Sequence, residues 1–131
     1  MNKKPSEYIT EFLNFVAEAQ TQYRIYDEEV NNQDKLTQDY LHKLELGELK
    51  SSERSKVATK LAVNRKDRRY YKDRVEEFKP IVEFFNDPYN KKVLDKMKQV
   101  LGACRKSEEY HKDRKYKPRV LKEKKRSGNN A

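Results

Sequence analysis

Tryptophan is missing from this sequence, cysteine occurs once, glycine three times and proline four times in 131 residues. A lone Cys104 excludes an intrachain disulfide and a cysteine-based metal cluster. With so few glycines the chain has no Gly-rich phosphate loop, and it also lacks an HExxH helix and a nucleophile elbow. His42 and His111 are the only histidines, and neither stands in an acid–base or metal motif. A non-enzymatic protein without a cofactor is expected. No apolar run approaches the ~20 residues that a membrane helix requires, and no amino-terminal signal pattern is present. The expectation is a soluble, cytoplasmic chain without a membrane partner.

The scarcity of helix breakers, together with many Lys, Glu, Asp, Leu and Val, suits long helices and argues against a sandwich or barrel. Only 34% of residues are hydrophobic and 40% are charged. So low an apolar fraction fits thin helices sharing a narrow seam better than a compact globule. Net charge is +9, unevenly spread. Residues 1–50 hold six basic and ten acidic side chains, while residues 51–131 hold 25 basic and 12 acidic ones. Opposite fields on the two halves point toward nucleic acid, an acidic partner or a membrane surface.

The register centres on the stretch from Ser51 to Phe85. Val57, Leu61, Asn64, Arg68, Tyr71, Val75, Phe78, Val82 and Phe85 alternate four and three apart, the spacing of one helix face held against partners. Upstream, Ile9, Val16, Tyr23, Val30, Thr37 and Leu44 recur every seven residues, accompanied by Phe12, Ala19, Tyr26, Gln33 and Tyr40. That predicts a helix from Ser6, as N-cap, to about Leu46, with Asn31-Asn32 its weakest point and a seam that grows polar beyond Tyr26. The polar part is expected to be held less tightly or to meet another chain. Gly47 suits a left-handed helix end, and Ser51 or Ser52 suits the next N-cap. Pro80 predicts a kink in the second helix. Asp87-Pro88 reads as cap and first turn of a third helix. Its seam is Leu94, Met97, Leu101, Cys104, Glu108 and His111, broadened by Val93 and Val100.

The fold expected is all-α: an elongated antiparallel bundle of three long helices, about 6–46, 52–85 and 88–113, followed by a basic carboxy-terminal tail. Residues 1–117 form the bundle and 118–131 the tail. A second and third helix folded back about Asp87 would set Arg68 level with Lys106, where Glu108 or Glu109 is its natural partner. Arg65-Lys66 with Tyr70-Tyr71-Lys72-Asp73-Arg74 is echoed 40 residues later by Arg105-Lys106 with Tyr110-His111-Lys112-Asp113-Arg114. Either an old duplication or similar needs explain the echo.

Two basic segments are candidates for phosphate contact. The first comprises Lys60, Arg65, Lys66, Arg69, Lys72 and Arg74, with Tyr70 available for stacking; the alternative is a solvated face of internal ion pairs. The second comprises Arg105, Lys112, Arg114, Lys115, Lys117, Arg119, Lys122, Lys124, Lys125 and Arg126, with Tyr110 and Tyr116 interleaved; the alternative is a solubilising tail. Glu18, Asp27, Glu28, Glu29, Asp34 and Asp39 make one side of the first helix acidic, chiefly to neutralise the chain's own basic helix; the alternative is docking of a basic protein surface. The partners expected are DNA, RNA or a host nucleoprotein. The competing reading is a coiled-coil protein-interaction module or homodimer without nucleic-acid contact, using Val30, Tyr40, Leu41 and Leu44.

Asp39-Tyr40-Leu41-His42-Lys43-Leu44-Glu45-Leu46, Arg54-Ser55-Lys56-Val57-Ala58-Thr59 and Lys117-Pro118-Arg119-Val120-Leu121-Lys122 resemble small, highly charged helical proteins of phages and prophages of Gram-positive bacteria. That resemblance implies action in a host cytoplasm against nucleic-acid machinery or antiviral nucleases, as anti-CRISPR proteins act, by occluding a nucleic-acid channel. It implies no catalytic residues.

Overall fold

The computed structural model describes residues 2–121. Three helices account for almost all of them: α1 (Pro5–Leu46), α2 (Ser51–Asn86) and α3 (Pro88–Lys112), with no strand among the described residues. At about 1.5 Å per residue, α1 is about 63 Å long. Asn31-Asn32 does not interrupt it, and α2 likewise runs through Pro80.

The helix ends follow local chemistry, with three departures from the sequence reading. Pro5 occupies the first turn of α1, where a missing N–H costs nothing. This shifts the N-cap back to Lys4 and places Ser6 inside the helix. Glu7 reaches back to accept the Lys4 backbone N–H at 3.2 Å. At the other end Gly47 is extended (φ −79°, ψ 144°) rather than left-handed, and its N–H donates to the Lys43 carbonyl at 3.0 Å. A Cβ on Gly47 would stand 2.5 Å from that same carbonyl oxygen, so close approach, not backbone handedness, favours glycine here. Lys50, not Ser51 or Ser52, is the N-cap of α2. Asp87 caps α3 as its sequence suggests, its carboxylate accepting the Tyr89 N–H at 2.8 Å.

Most of the packing lies between α1 and α2. Their contacts pair residues in opposite order: Thr37 with Asn64, Asp34 with Arg68, Tyr26 with Tyr71 and Phe78, Phe12 with Phe85. All nine predicted seam positions of α2 turn inward. Val57, Asn64, Val75, Val82 and Phe85 are buried, while Leu61, Arg68, Tyr71 and Phe78 are half-buried. Opposite them α1 buries Val16, Ala19, Val30 and Thr37. The apolar interior is a single narrow file of mainly small and β-branched side chains, closed at the α1 amino-terminal end by the edge-to-face Phe12–Phe85 pair.

The polar part of the α1 seam is not loose. Asn64, 2% exposed, donates through Nδ2 to the Gln33 backbone carbonyl at 3.0 Å and to Gln33 Oε1 at 2.7 Å. Its Oδ1 lies 2.6 Å from the Thr37 hydroxyl, which also approaches the Gln33 carbonyl at 2.9 Å. A single hydroxyl proton serves one of these two acceptors at a time. The polar seam of α1 therefore meets the one fully buried polar residue of α2, one helical turn from the Arg68–Asp34 ion pair.

α3 does not lie back along α2. Folding back about Asp87 would set Glu108 near Lys66, but Glu108 bonds Ser6, and Arg105 reaches Thr10 at 3.3 Å. Residues 88 and 108 are about 30 Å apart along α3, whereas Ser6 and Phe12 are only about 9 Å apart along α1. Both ends of α3 thus belong to the same end of the α1–α2 pair, and α3 crosses that end. A crossing helix has a small footprint. Leu101 is its only buried residue, Leu94, Met97, Cys104 and Glu108 are half-buried, and Val93, Val100 and His111 are exposed rather than part of a packed face.

Asn64→Ala removes the amide that bonds Gln33 and Thr37 and is expected to lower the unfolding free energy by about 1–3 kcal/mol. Asn64→Leu combined with Thr37→Val, which makes both sides apolar, is expected to lose much less. Urea denaturation followed by circular dichroism measures both.

Candidate functional site

The α2 candidate cations divide once their side chains are placed. Arg74 is fully engaged within its own helix: Nε and Nη2 donate to the two Glu77 carboxylate oxygens at 2.8 and 2.7 Å. Its guanidinium also stacks 4.9 Å from the centre of the Tyr70 ring. The bidentate bond holds Glu77 below the usual carboxylate range; it also raises Arg74, which the Tyr70 hydroxyl raises further. Tyr70 remains half exposed, but one ring face is already covered by Arg74 and an edge meets Tyr71 at 5.4 Å. Arg69 lies 3.7 Å from Asp73, and Arg65 leans on the Thr37 hydroxyl at 3.4 Å. Lys60, Lys66 and Lys72 have no carboxylate partner within 4 Å among the described residues. Arg68 does have a carboxylate partner, but it is Asp34 of α1, not Glu108 or Glu109 of α3.

The second cluster keeps its charge unspent. Lys112, Arg114, Lys115, Lys117 and Arg119 are all exposed and form no ion pair among the described residues. Past the end of α3 the chain turns so that Tyr110, Arg114, Lys115, Lys117 and Arg119 line an open concavity of about 660 Å³, with Glu109 and Asp113 on its helical side. Tyr110 and Tyr116 present large exposed rings, 69% and 65% accessible. Lys122, Lys124, Lys125 and Arg126 lie outside the described residues.

A half-buried clamp fixes the helix that carries this cluster. Ser6, 8% exposed, donates its hydroxyl to Glu108 Oε1 at 2.6 Å and its backbone N–H to Oε2 at 3.1 Å. The Ser6 N–H is one of the first-turn donors that α1 cannot satisfy internally, so α3 supplies the missing acceptor. A carboxylate is also the charge that a helix amino terminus favours. Because the Ser6 hydroxyl and then its N–H bond the ionised form, Glu108 titrates below the usual carboxylate range, helped by nearby Lys4 and Arg105. The sequence places Glu108 on the α3 seam and offers it, or Glu109, to Arg68; its actual partner, Ser6, reads there as a cap. A carboxylate in an apolar seam was the available signal.

The two basic clusters do not meet. Arg68 stands opposite Asp34 and Glu108 opposite Ser6, so 28 residues of α1, about 42 Å of helix, separate their levels. The echo between residues 65–74 and 105–114 therefore describes two distant places, one with Arg68, Arg69 and Arg74 ion-paired and one with no ion pair among the described residues. Among the proposed protein-contact residues, Val30 is spent inside the α1–α2 seam at 6% exposure. Tyr40 and Leu44 are half-buried and Leu41 is exposed.

Among the described residues no group of His, Cys, Asp and Glu is arranged to hold a metal ion. No described helix is long and apolar enough to cross a membrane. Comparison of the chain with protein-family models, curated proteins and solved structures returns no match.

Glu108 contributes its stabilisation fully above the ordinary Glu value of 4.5 and loses it as pH falls through the lower folded-state value. The Ser6 amide resonance is expected to titrate with a midpoint below 4.5, and the titration is expected to vanish in Glu108→Gln.

Proposed function

We propose that the chain is a non-enzymatic binder of nucleic acid, or of the nucleic-acid-facing surface of a nucleoprotein, acting through its carboxy-terminal basic segment. The scaffold is an elongated antiparallel arrangement of α1 and α2 that carries this segment at one end. The supporting observation is the concavity lined by Arg114, Lys115, Lys117 and Arg119 with Tyr110 on its wall; Glu109 and Asp113 share it, but none of the four cations forms an ion pair among the described residues. Phosphate recognition needs accessible positive charge on a fixed support, and tyrosine rings add stacking on unpaired bases without sequence preference. Lys112 and Arg114 stand at the end of α3, itself fastened by Ser6–Glu108, so the segment leaves the scaffold from a defined point.

Lys60, Lys66 and Lys72 of α2 supply a second, weaker positive area about 40 Å away. Contact with both clusters at once requires a polyanion spanning more than one duplex turn of about 34–36 Å. The resemblance to phage proteins supplies a biological setting for such binding, in which occlusion of a nucleic-acid channel blocks host machinery.

Fluorescence anisotropy with labelled single- and double-stranded DNA and RNA, across a salt series, tests the proposal. Affinity is expected to fall steeply with salt. Replacing Lys112, Arg114, Lys115, Lys117 and Arg119 by glutamine is expected to flatten the log–log slope by about 3–5 and weaken all sequences alike. Affinity that is flat across the salt series, or unchanged in the five-residue variant, overturns it.

A further inference from the structure

The seam toward α1 is not the only heptad row on α2. Val63, Tyr70, Glu77 and Phe84 follow one another at intervals of seven, and all four face solvent. Val63 is 54% exposed, Tyr70 51% and Phe84 53%, high values for large apolar side chains on a helix whose other face is already buried. Isolated exposed hydrophobes are ordinary, but a row in register is the pattern of a helix that meets a second partner. Neighbouring α1 side chains extend the row sideways. Leu36 and Tyr40 line a groove with Val63, Tyr26 meets the Tyr70 ring, and Phe12 joins Phe84 through Phe85.

α3 leaves this flank open. It packs on Ser6 and Thr10, and Phe15 stands about 140–180° around α1 from those two at 100° per residue. Phe15 accordingly remains 46% exposed and Phe12 38%.

We propose that this flank binds a second copy of the same chain, α2 against α2 in opposite directions about a twofold axis passing between Asp73 and Arg74. The order of side chains is what selects this occupant. Turned about that point, Val63 faces Phe84 of the second copy, Tyr70 faces its Glu77, and Asp73 and Arg74 face Arg74 and Asp73. Apolar meets apolar at both ends, and opposite charges meet at the centre. A parallel pairing would instead set Glu77 on Glu77 and Arg74 on Arg74, a like-charge arrangement that is unfavourable in a helix pair. Self-complementarity of one patch is the requirement of a twofold dimer. The row spans about 32 Å from Val63 to Phe84, enough for three heptads of contact. In the dimer Arg74 exchanges its internal Glu77 partner for a choice of carboxylates across the axis, while Tyr70 donates its hydroxyl to Glu77 of the other copy. This surface is separate from the basic carboxy-terminal segment, and the proposal stands whether or not the chain binds nucleic acid.

Sedimentation equilibrium of the full chain, from dilute to concentrated solution, provides the first test. Twice the 15.8 kDa chain mass is expected, and a mass of one chain at every concentration overturns the proposal. The double variant Val63→Glu, Phe84→Glu is expected to weaken dimerisation at least about tenfold with unchanged helicity, whereas Val93→Glu on α3 leaves it alone. Equal effects of both variants overturn the assignment of the surface. Orientation is tested by oxidation in a Cys104→Ser background. Val63→Cys together with Phe84→Cys is expected to give covalent dimers, and each substitution alone is not; efficient cross-linking of Val63→Cys alone overturns the twofold, opposite-direction pairing.

Discussion

Two helices of this length can slide past one another by a turn with little change in apolar contact, because a file of valines looks much the same at each heptad. The Asn64 amide removes that freedom. Its donors meet Gln33 and its acceptor meets Thr37, and a shift of one heptad would set the amide opposite Tyr26 and Val30 or Tyr40 and Leu44 instead. A polar residue in an otherwise apolar seam lowers stability relative to leucine and fixes which residues stand opposite one another. Every other α1–α2 relation follows: Arg68 reaches Asp34, Tyr26 sits among Tyr71 and Phe78, and Phe12 closes on Phe85. With the register set, the level at which α2 ends is set, and so is the point from which α3 departs.

The electrostatic asymmetry of the sequence is resolved unevenly along this frame. Near the middle, acidic α1 and basic α2 lie against each other, and α2 pairs its own charges at intervals of three and four residues, so much of the local positive field is spent internally. At the end where α3 crosses, the cations lie beyond the last helical residue, where no acidic helix runs alongside. The echo hides a difference in composition as well: Asp67-Arg68-Arg69 is replaced by Ser107-Glu108-Glu109, so residues 65–74 carry six basic and two acidic side chains and residues 105–114 four and three.

Periodicity alone makes the helix faces legible. The nine α2 seam positions from Val57 to Phe85 all turn inward, and Asp87-Pro88 starts α3 where the turn chemistry places it. What periodicity does not carry is the identity of the partner face. Arg68 is readable as a seam residue, but its partner depends on how α3 folds, and a crossing helix exchanges Glu108 for Asp34. Ser6 has the composition of an N-cap, yet Pro5 already holds the first turn, so the serine becomes a buried donor to a residue 102 positions away. Gly47 shows the same limit at smaller scale: glycine suits either a left-handed turn or a close approach, and only the placed Lys43 carbonyl distinguishes them. In the candidate site, the open carboxy-terminal cations follow from charge density alone. The internal engagement of Arg74 and Tyr70 does not, because i, i+3 and i, i+4 partners of both signs compete for each side chain along the helix.

The narrow interior also determines how much of the chain its architecture constrains. Eight apolar and three polar residues are buried among those described, and nearly all the rest touch water. Substitutions on such a surface generally move stability by less than about 0.5 kcal/mol. The fold therefore imposes strict demands on a handful of letters at intervals of three, four and seven and tolerates wide variation in between. A very large set of sequences is compatible with this shape, and within it lineages are free to redistribute surface charge, and with it binding preference, while the frame stays the same.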